Sequence, residues 1–210
     1  MSSVLTRHLG TLTSTISGYA DLLVDAQNDQ EQRDIAMNLL EASTRIDDLL
    51  ADLRHYSRSL EPAPRVVSVP ETTKGAVQLL SDSERARVCK RVEPPAAGEI
   101  EADPRLLRQA LLNLLQNALE ASEETEDVLL RATADDTASL DTTVAFEIWN
   151  DGEIPVDDPA ELFQPFYSTR PQRLGLGLPI AAHIADQHGG TVQLTENSAA
   201  DGGTCFTLRV

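Results

Sequence analysis

Three short stretches of this 210-residue chain hold residues whose types and spacing could do chemistry: LLQNALEA at 114–121, NDG at 150–152, and FQPFYSTRPQRLGLGL at 163–178. Asn113 and Asn117 are four residues apart, so a helix through them places both carboxamides on one face. Gly175 and Gly177 admit close backbone approach to a phosphate, and a helix beginning near Leu178 would point its free N–H groups at it. Arg170 and Arg173 would add positive charge, and Asn150 to Gly152 is a turn signal. Each piece is common alone: an isolated Asn in an amphipathic helix is ordinarily solvated, and a lone GLG is weak. Their order carries the information.

The elements that must position these residues are readable around them. Asp103-Pro104 starts a helix, with Asp as N-cap and Pro where its missing N–H costs little. The helix runs through LLRQALLNLLQNALEAS with Leu107, Leu111, Leu114, Leu115 and Ala118 on its apolar side. Strands are expected at 66–69, ended by Pro70, at 85–93, at 99–101, at about 127–134 and 142–149, and at 191–195 and 204–210. ETTKGAVQLLSD at 71–82 reads as a helix, and so does the stretch that Gly189-Gly190 ends. The alternation suits one mixed sheet covered by helices on one face.

The front third reads differently. Leu5, Leu9, Leu12, Ile16, Tyr19 and Leu23 repeat with a period of 3.5, as do Ile35, Leu39, Ala42, Ile46, Leu49, Leu53, Tyr56 and Leu60. The polar DAQNDQEQ at 25–32 is a turn, with a second helix starting near Asp29 and stopping near Leu60. Such helices pack antiparallel. Leu22, Val24, Met37, Leu40 and Leu50 widen the stripe beyond what one partner helix needs, so a homodimeric four-helix bundle is expected; the alternative is a hairpin folded back on the rest of the chain. EPAPR at 61–65 is the domain boundary, separating residues 1–60 from 66–210.

Composition narrows the partners. A net charge of −17 disfavours nucleic acid and anionic membrane. An anionic ligand would need a local exception to that field. No run of about 18 apolar residues is present to span a membrane, and the start lacks the apolar stretch of a signal peptide, so a cytoplasmic location is expected. Cys89 and Cys205 have no metal-site spacing and read as a buried, reduced pair.

Taken together, the segments resemble the nucleotide-binding domain of sensor histidine kinases and their GHKL relatives, covering about 100–210 well and 66–99 loosely. The resemblance implies an α+β chain: an N-terminal antiparallel helical hairpin, a four-helix bundle in the dimer, followed by an α/β sandwich of the GHKL ATPase type. It implies ATP and Mg2+ as cofactors, with Asn117 as the metal ligand and Asn113 helping to orient the reacting groups. Asn150 falls where the family has an aspartate that accepts from the adenine amino group, with Asp151 beside it. Gly152 matches the first glycine of that turn, and the second falls on Ile154 or is lost through a one-residue deletion. Phe163 and Phe166 match a phenylalanine motif, followed by the basic Arg170. Gly175 and Gly177 match the later glycines of the second glycine motif, and Arg173 stands at its first.

The front hairpin resembles the dimerisation and phosphotransfer domain of the same kinases, through Leu9, Thr11, Gly18-Tyr19 and Leu22-Leu23. The family histidine falls on Arg7, and His8 is one residue later, about 100° around a helix. His8 is the candidate acceptor; His55, His183 and His188 lie in worse places. The implied activity is autophosphorylation of histidine by ATP, then transfer to an aspartate of a response-regulator receiver domain, with input from a separate sensor protein or from parts of a longer parent chain. A degenerate kinase used as a scaffold, receiver-binding module or phosphotransfer intermediate is the alternative. A serine-kinase anti-sigma factor would account for the ATP domain but not for the hairpin.

Overall fold

The computed structural model describes residues 2–26, 28–57, 61–93, 98–123, 125–135, 143–156, 158–168, 175–198 and 203–210, without the side chains of 2–5, 7–9, 12, 45, 48–49, 51–57, 134–135 and 198. The chain divides into two compact units, Met1–Arg58 with Gln164–Leu176, and Ser59–Phe163 with Gly177–Val210.

The first unit holds α1 (Ser2–Asp25) and α2 (Asp29–Ser57), which touch each other. Asn28 starts α2: its side-chain oxygen accepts the Glu31 N–H at 2.9 Å, satisfying a donor the first turn leaves unpaired. Described side chains of the two 3.5-period seams are the covered ones. Ile35 and Ala42 are buried, and Ile16, Tyr19, Leu23, Leu39 and Ile46 are half-buried. Leu22, Val24, Met37 and Leu40 are 55–86% exposed.

In the second unit β1 (Arg65–Ser68) pairs antiparallel with β3 (Glu99–Ala102) as a sheet of its own. This corrects the reading of a single sheet. The larger sheet has five strands in the order β2 (Val88–Val92), β4 (Val128–Asp135), β5 (Thr143–Asn150), β7 (Gly203–Arg209) and β6 (Thr191–Ser198). Among the described strand pairs only β2–β4 is parallel. Alternate residues of the central strands form the core row, including Leu130, Phe146, Ile148, Phe206 and Leu208, all fully buried.

The stretch from 69 to 93 also departs from the sequence reading. Pro70 does not simply end a strand; it lies in the first turn of α3 (Val69–Val77), where no N–H is needed. The expected helix over 71–82 stops at Val77, and a second short helix, α4 (Asp82–Ala86), takes the start of the expected strand. Ser81 and Glu84 form a capping box: the Ser81 hydroxyl accepts the Glu84 N–H at 3.3 Å while Glu84 accepts the Ser81 N–H at 2.9 Å. The S-x-x-E signal was in the sequence and marks that start. Cys205 is buried, but Cys89 is exposed on β2, so the two are not a buried pair; both are free thiols.

Helix α5 (Pro104–Ala121) is the centre of the unit. Leu107, Leu111, Leu114, Leu115 and Ala118 are fully buried, as their spacing requires. Asp103 caps it, accepting from the N–H groups of Arg105 and Leu106 at 2.8 and 3.1 Å. Its other oxygen accepts the Ala63 N–H at 3.1 Å, tying the proline-containing connector to the helix start. The Asp103 N–H in turn donates to His188 Nε2 at 2.9 Å, and His188 Nδ1 lies 2.8 Å from the Ile184 carbonyl. His188, directly after helix α6 (Gly177–Gln187), which packs on α5, thus joins the end of one helix to the cap of the other.

Burial works to raise the Asp103 pKa, but the N–H groups of Ala63, Leu106 and Arg105 and the Arg105 charge outweigh it and hold the carboxyl below the ordinary aspartate value. A lowered folded-state pKa makes its stabilisation complete above the unfolded value of about 3.9 and progressively lost as pH falls through the folded one. Asp103→Asn keeps a capping oxygen but loses the charged acceptor for Ala63. It should cost about 1–2 kcal/mol at neutral pH. In urea titrations it should lose less stability than wild type between about pH 5 and about pH 3.

Candidate nucleotide site

The site residues of the second unit gather around the C-terminal half of α5. Asn113 is 7% exposed on that helix, and Asn117 is half-buried one turn further on. Gly177, the first residue of α6, lies against Asn113: a Cβ added there would stand 3.9 Å from the Asn113 Cβ. The first-turn N–H groups of α6 have no intrahelical partner and carry the positive end of the helix dipole. Asn113 Nδ2 is buried with no hydrogen-bond partner.

Asn150 ends β5 and is only 2% exposed. Its Nδ2 donates to the Gly152 carbonyl at 3.3 Å, and its Oδ1, also buried, has no partner. Asn113 Nδ2 and Asn150 Oδ1 are the two unpartnered buried side-chain polar atoms among the described residues. One is a donor and the other an acceptor. Leaving either unpaired costs roughly 1–3 kcal/mol, a cost that a ligand supplying the missing partner would relieve.

The turn after Asn150 is held from three sides. Gly152 has no room for a side chain, since an added Cβ would come within 2.5 Å of the Ala121 carbonyl at the end of α5. Thr204, opposite Asn150 across the β5–β7 pair, donates its hydroxyl to the Gly152 carbonyl at 2.6 Å. Asn197 of β6 accepts the Ile154 N–H and donates to the Ile154 carbonyl, each at 2.9 Å. Asp151, next to Asn150, is exposed.

The structure thus brings Asn113, Asn117, Asn150, Gly152 and Gly177 around one helix. Gly175 sits in the Gln164–Leu176 segment, at φ 65°, where an added Cβ would collide with the Tyr167 carbonyl. Its own carbonyl accepts the Phe166 N–H at 3.0 Å. Phe166 itself has φ 69°, a conformation rare outside glycine. Arg170 and Arg173 lie outside the described residues. Phe163 packs edge-on against Phe206, centroids 6.3 Å apart. His8 falls in the second turn of α1, and its side chain is outside the described set. Thr204, read as a sheet residue, is one; that its hydroxyl also holds the Asn150 turn went unread, as did Asn197. Nothing local marks either, because both act through the register of β7 with its two neighbours.

The family description that matches residues 102–210 is Histidine kinase-, DNA gyrase B-, and HSP90-like ATPase. The C4-dicarboxylate transport sensor protein DctB of Rhizobium meliloti (strain 1021) is 30% identical over 180 residues, 82% of this chain and 27% of DctB. The sensor protein FixL of Bradyrhizobium diazoefficiens is 28% identical, over 99% of this chain and 43% of FixL. The chain belongs to the sensor histidine kinase family. It spans between about a quarter and two-fifths of these curated relatives. Among solved structures, the nucleotide-free catalytic domain of histidine kinase ThkA is 28% identical, with a TM-score of 0.57 over 72% of this chain and 95% of that one. Histidine kinase ThkA in complex with response regulator protein TrrA is 24% identical, with a TM-score of 0.71 over 100% of this chain and 60% of that one, a likeness of fold. The histidine-kinase membership agrees with the mixed α/β architecture of the GHKL type, and among the described residues no helix is long and apolar enough to cross a membrane.

Gly152→Ala should destabilise this kinase domain by about 1–3 kcal/mol, since the new methyl meets backbone rather than a movable side chain. Gly10→Ala, mid-helix in α1 with nothing within 4 Å, should have the opposite sign, a gain of roughly 0.5–1 kcal/mol. Thermal unfolding of the two variants checks both.

Proposed function

We propose that the chain binds ATP with Mg2+ at the α5–β5–α6 cluster and transfers the γ-phosphoryl group to a histidine, from which it passes to an aspartate of a response-regulator receiver domain. The observation that carries the reading is the pair of buried, unpartnered carboxamide atoms. Asn150 Oδ1 suits the amino group of adenine, and Asn113 Nδ2 suits an oxygen near the reacting phosphate. Asp151 flanks the base position. The N–H groups of Gly177 and Leu178 suit phosphate, and the family resemblance assigns Gly175, Arg170 and Arg173 to the same anion.

Among the described residues no three His, Cys, Asp or Glu side chains group to hold a metal. That fits an ion bound by phosphate, water and the single carboxamide oxygen of Asn117. Bound there, Mg2+ would supply charge neutralisation to the triphosphate. The protein's own task is positioning: it holds the base by Asn150 and the phosphates by backbone, and it excludes water along the buried face of α5. In the transfer, the histidine nitrogen forms a bond to the γ-phosphorus as the bond to the ADP oxygen breaks.

His8 is the proposed acceptor, and Asn113 the residue that orients the reacting groups. With [γ-32P]ATP and Mg2+, the wild-type protein should acquire an acid-labile, base-stable label, and His8→Gln should lose it with ADP affinity unchanged. Label persisting on that variant places the acceptor elsewhere. Arg7 at the family's histidine position favours a second reading, a degenerate kinase acting as a scaffold, receiver-binding module or phosphotransfer intermediate. Nucleotide binding without label, in the presence of the cognate receiver, would select it.

The same reading makes residues 1–60 an antiparallel hairpin that pairs with a second copy in a four-helix bundle, with 66–210 as the catalytic domain and a cytoplasmic location. Exposed Met37 and Leu40 on α2 and Leu22 and Val24 on α1 support the pairing. Leu40→Glu, 70% exposed in the single chain, should convert a dimer to a folded monomer by light scattering at micromolar concentration. A monomeric wild type would count against the bundle.

A further inference from the structure

At the end of β5 a neutral carboxamide stands where only one of its two ends is useful. A carboxylate offers acceptors at both oxygens, whereas a carboxamide presents an acceptor or a donor depending on which way it is turned. At Asn150 the choice is made by the surroundings. Nδ2 faces the Gly152 carbonyl at 3.3 Å, which leaves Oδ1 as the buried atom without a partner. Turning the group over would set Oδ1 against that carbonyl, two acceptors face to face, and would present Nδ2 to the site.

The direction therefore depends on where the Gly152 carbonyl stands. Thr204 holds it, donating at 2.6 Å, the shortest of the side-chain contacts in this web. The Thr204 hydroxyl is also 3.1 Å from Asn197 Oδ1, and Asn197 clasps Ile154 through both its amide atoms. Gly152 cannot move toward α5, where the Ala121 carbonyl blocks it, and Gly203 at φ 105° packs against the Asn150 and Asp151 backbone. Thr204 is thus the only one of these contacts that reaches the Gly152 carbonyl from a side chain other than Asn150 itself.

We propose that Thr204 is a specificity-positioning residue: by fixing the Gly152 carbonyl it locks the Asn150 carboxamide with its oxygen toward the base, so that the site accepts a 6-aminopurine nucleotide and refuses a 6-oxopurine one. The inference rests on the nucleotide reading above and adds the origin of the base preference. A 6-amino group donates to Oδ1. A 6-oxo group faces it with a second acceptor and leaves both buried oxygens unpaired.

The test is isothermal titration of the full chain with ADP and with inosine diphosphate, in the wild type, Thr204→Ser, Thr204→Val, Asn150→Asp, and the Thr204→Val/Asn150→Asp pair. The wild type should prefer ADP by about 10- to 100-fold. Thr204→Ser keeps the hydroxyl and should keep the preference. Thr204→Val should bring the ratio toward one, chiefly because inosine diphosphate binds better once the carboxamide can turn over. Adding Asn150→Asp to Thr204→Val should restore the preference, since a carboxylate has no donor end to present. A threonine that merely stabilises the turn would weaken both nucleotides in proportion, with no rescue by Asn150→Asp, and that pattern overturns the proposal. So does a wild type that binds both diphosphates equally, a result that needs no variant to fold. Binding of neither diphosphate would instead overturn the nucleotide reading, and this inference with it.

Discussion

Burial of one whole side of α5 is the constraint on which the rest of the domain depends. Leu107, Leu111, Leu114, Leu115 and Ala118 are shut off from water, and each leucine contributes roughly 1.5–3 kcal/mol when fully buried. Against that sum, the roughly 1–3 kcal/mol cost of an unpaired Asn113 amide is small. The helix cannot turn about its axis to relieve the amide without exposing its leucines. Packing thus forces a polar group into a buried position that its own solvation would refuse, and holds Asn117 one turn beyond it. Asp103 sets where the helix begins, and through Ala63 and His188 it joins the connector and α6 to that start.

A second constraint acts at the far end of the large sheet. The turn after β5 carries a single glycine, Gly152, with Ile154 two residues on. The turn is kept by side chains from the neighbouring strands. Asn197 pairs with both backbone polar groups of Ile154, as a strand neighbour would, and Thr204 secures the Gly152 carbonyl. Asn150, which donates to the same Gly152 carbonyl, is the residue this web surrounds. A polyanion approaching a protein of net charge −17 meets repulsion from the surface as a whole. Favourable contact must come from short-range groups, and the N–H groups at the start of α6, beside Asn113, are of that kind.

Much of this was legible in the residues alone. The 3.5-period seams of α1 and α2 match the side chains the structure covers, and the Leu107–Ala118 spacing matches the buried side of α5. Asp103-Pro104 starts α5 and Gly189-Gly190 follows the end of α6, because capping and glycine chemistry act within a few residues and leave a local mark. The Ser81–Glu84 box is equally local, and it starts α4 where a helix to Asp82 and a strand from 85 are expected.

What only the tertiary structure decided has a common physical origin: it depends on which strands lie side by side. Strand order, the separation of β1 and β3 into their own sheet, and the exposure of Cys89 on an edge strand are set by pairings between segments far apart in the chain. So is the meeting of Asn150 with Thr204, 54 positions later, and of Ile154 with Asn197, where a register shift between Leu194 and Glu196 adjusts the pairing of β6 with β7. Periodicity reports which face of an element is buried, and capping reports where it ends. Neither carries information about its neighbour. The sequence therefore determined the residue types available to the site, while register determined that the Asn150 oxygen is left without a partner.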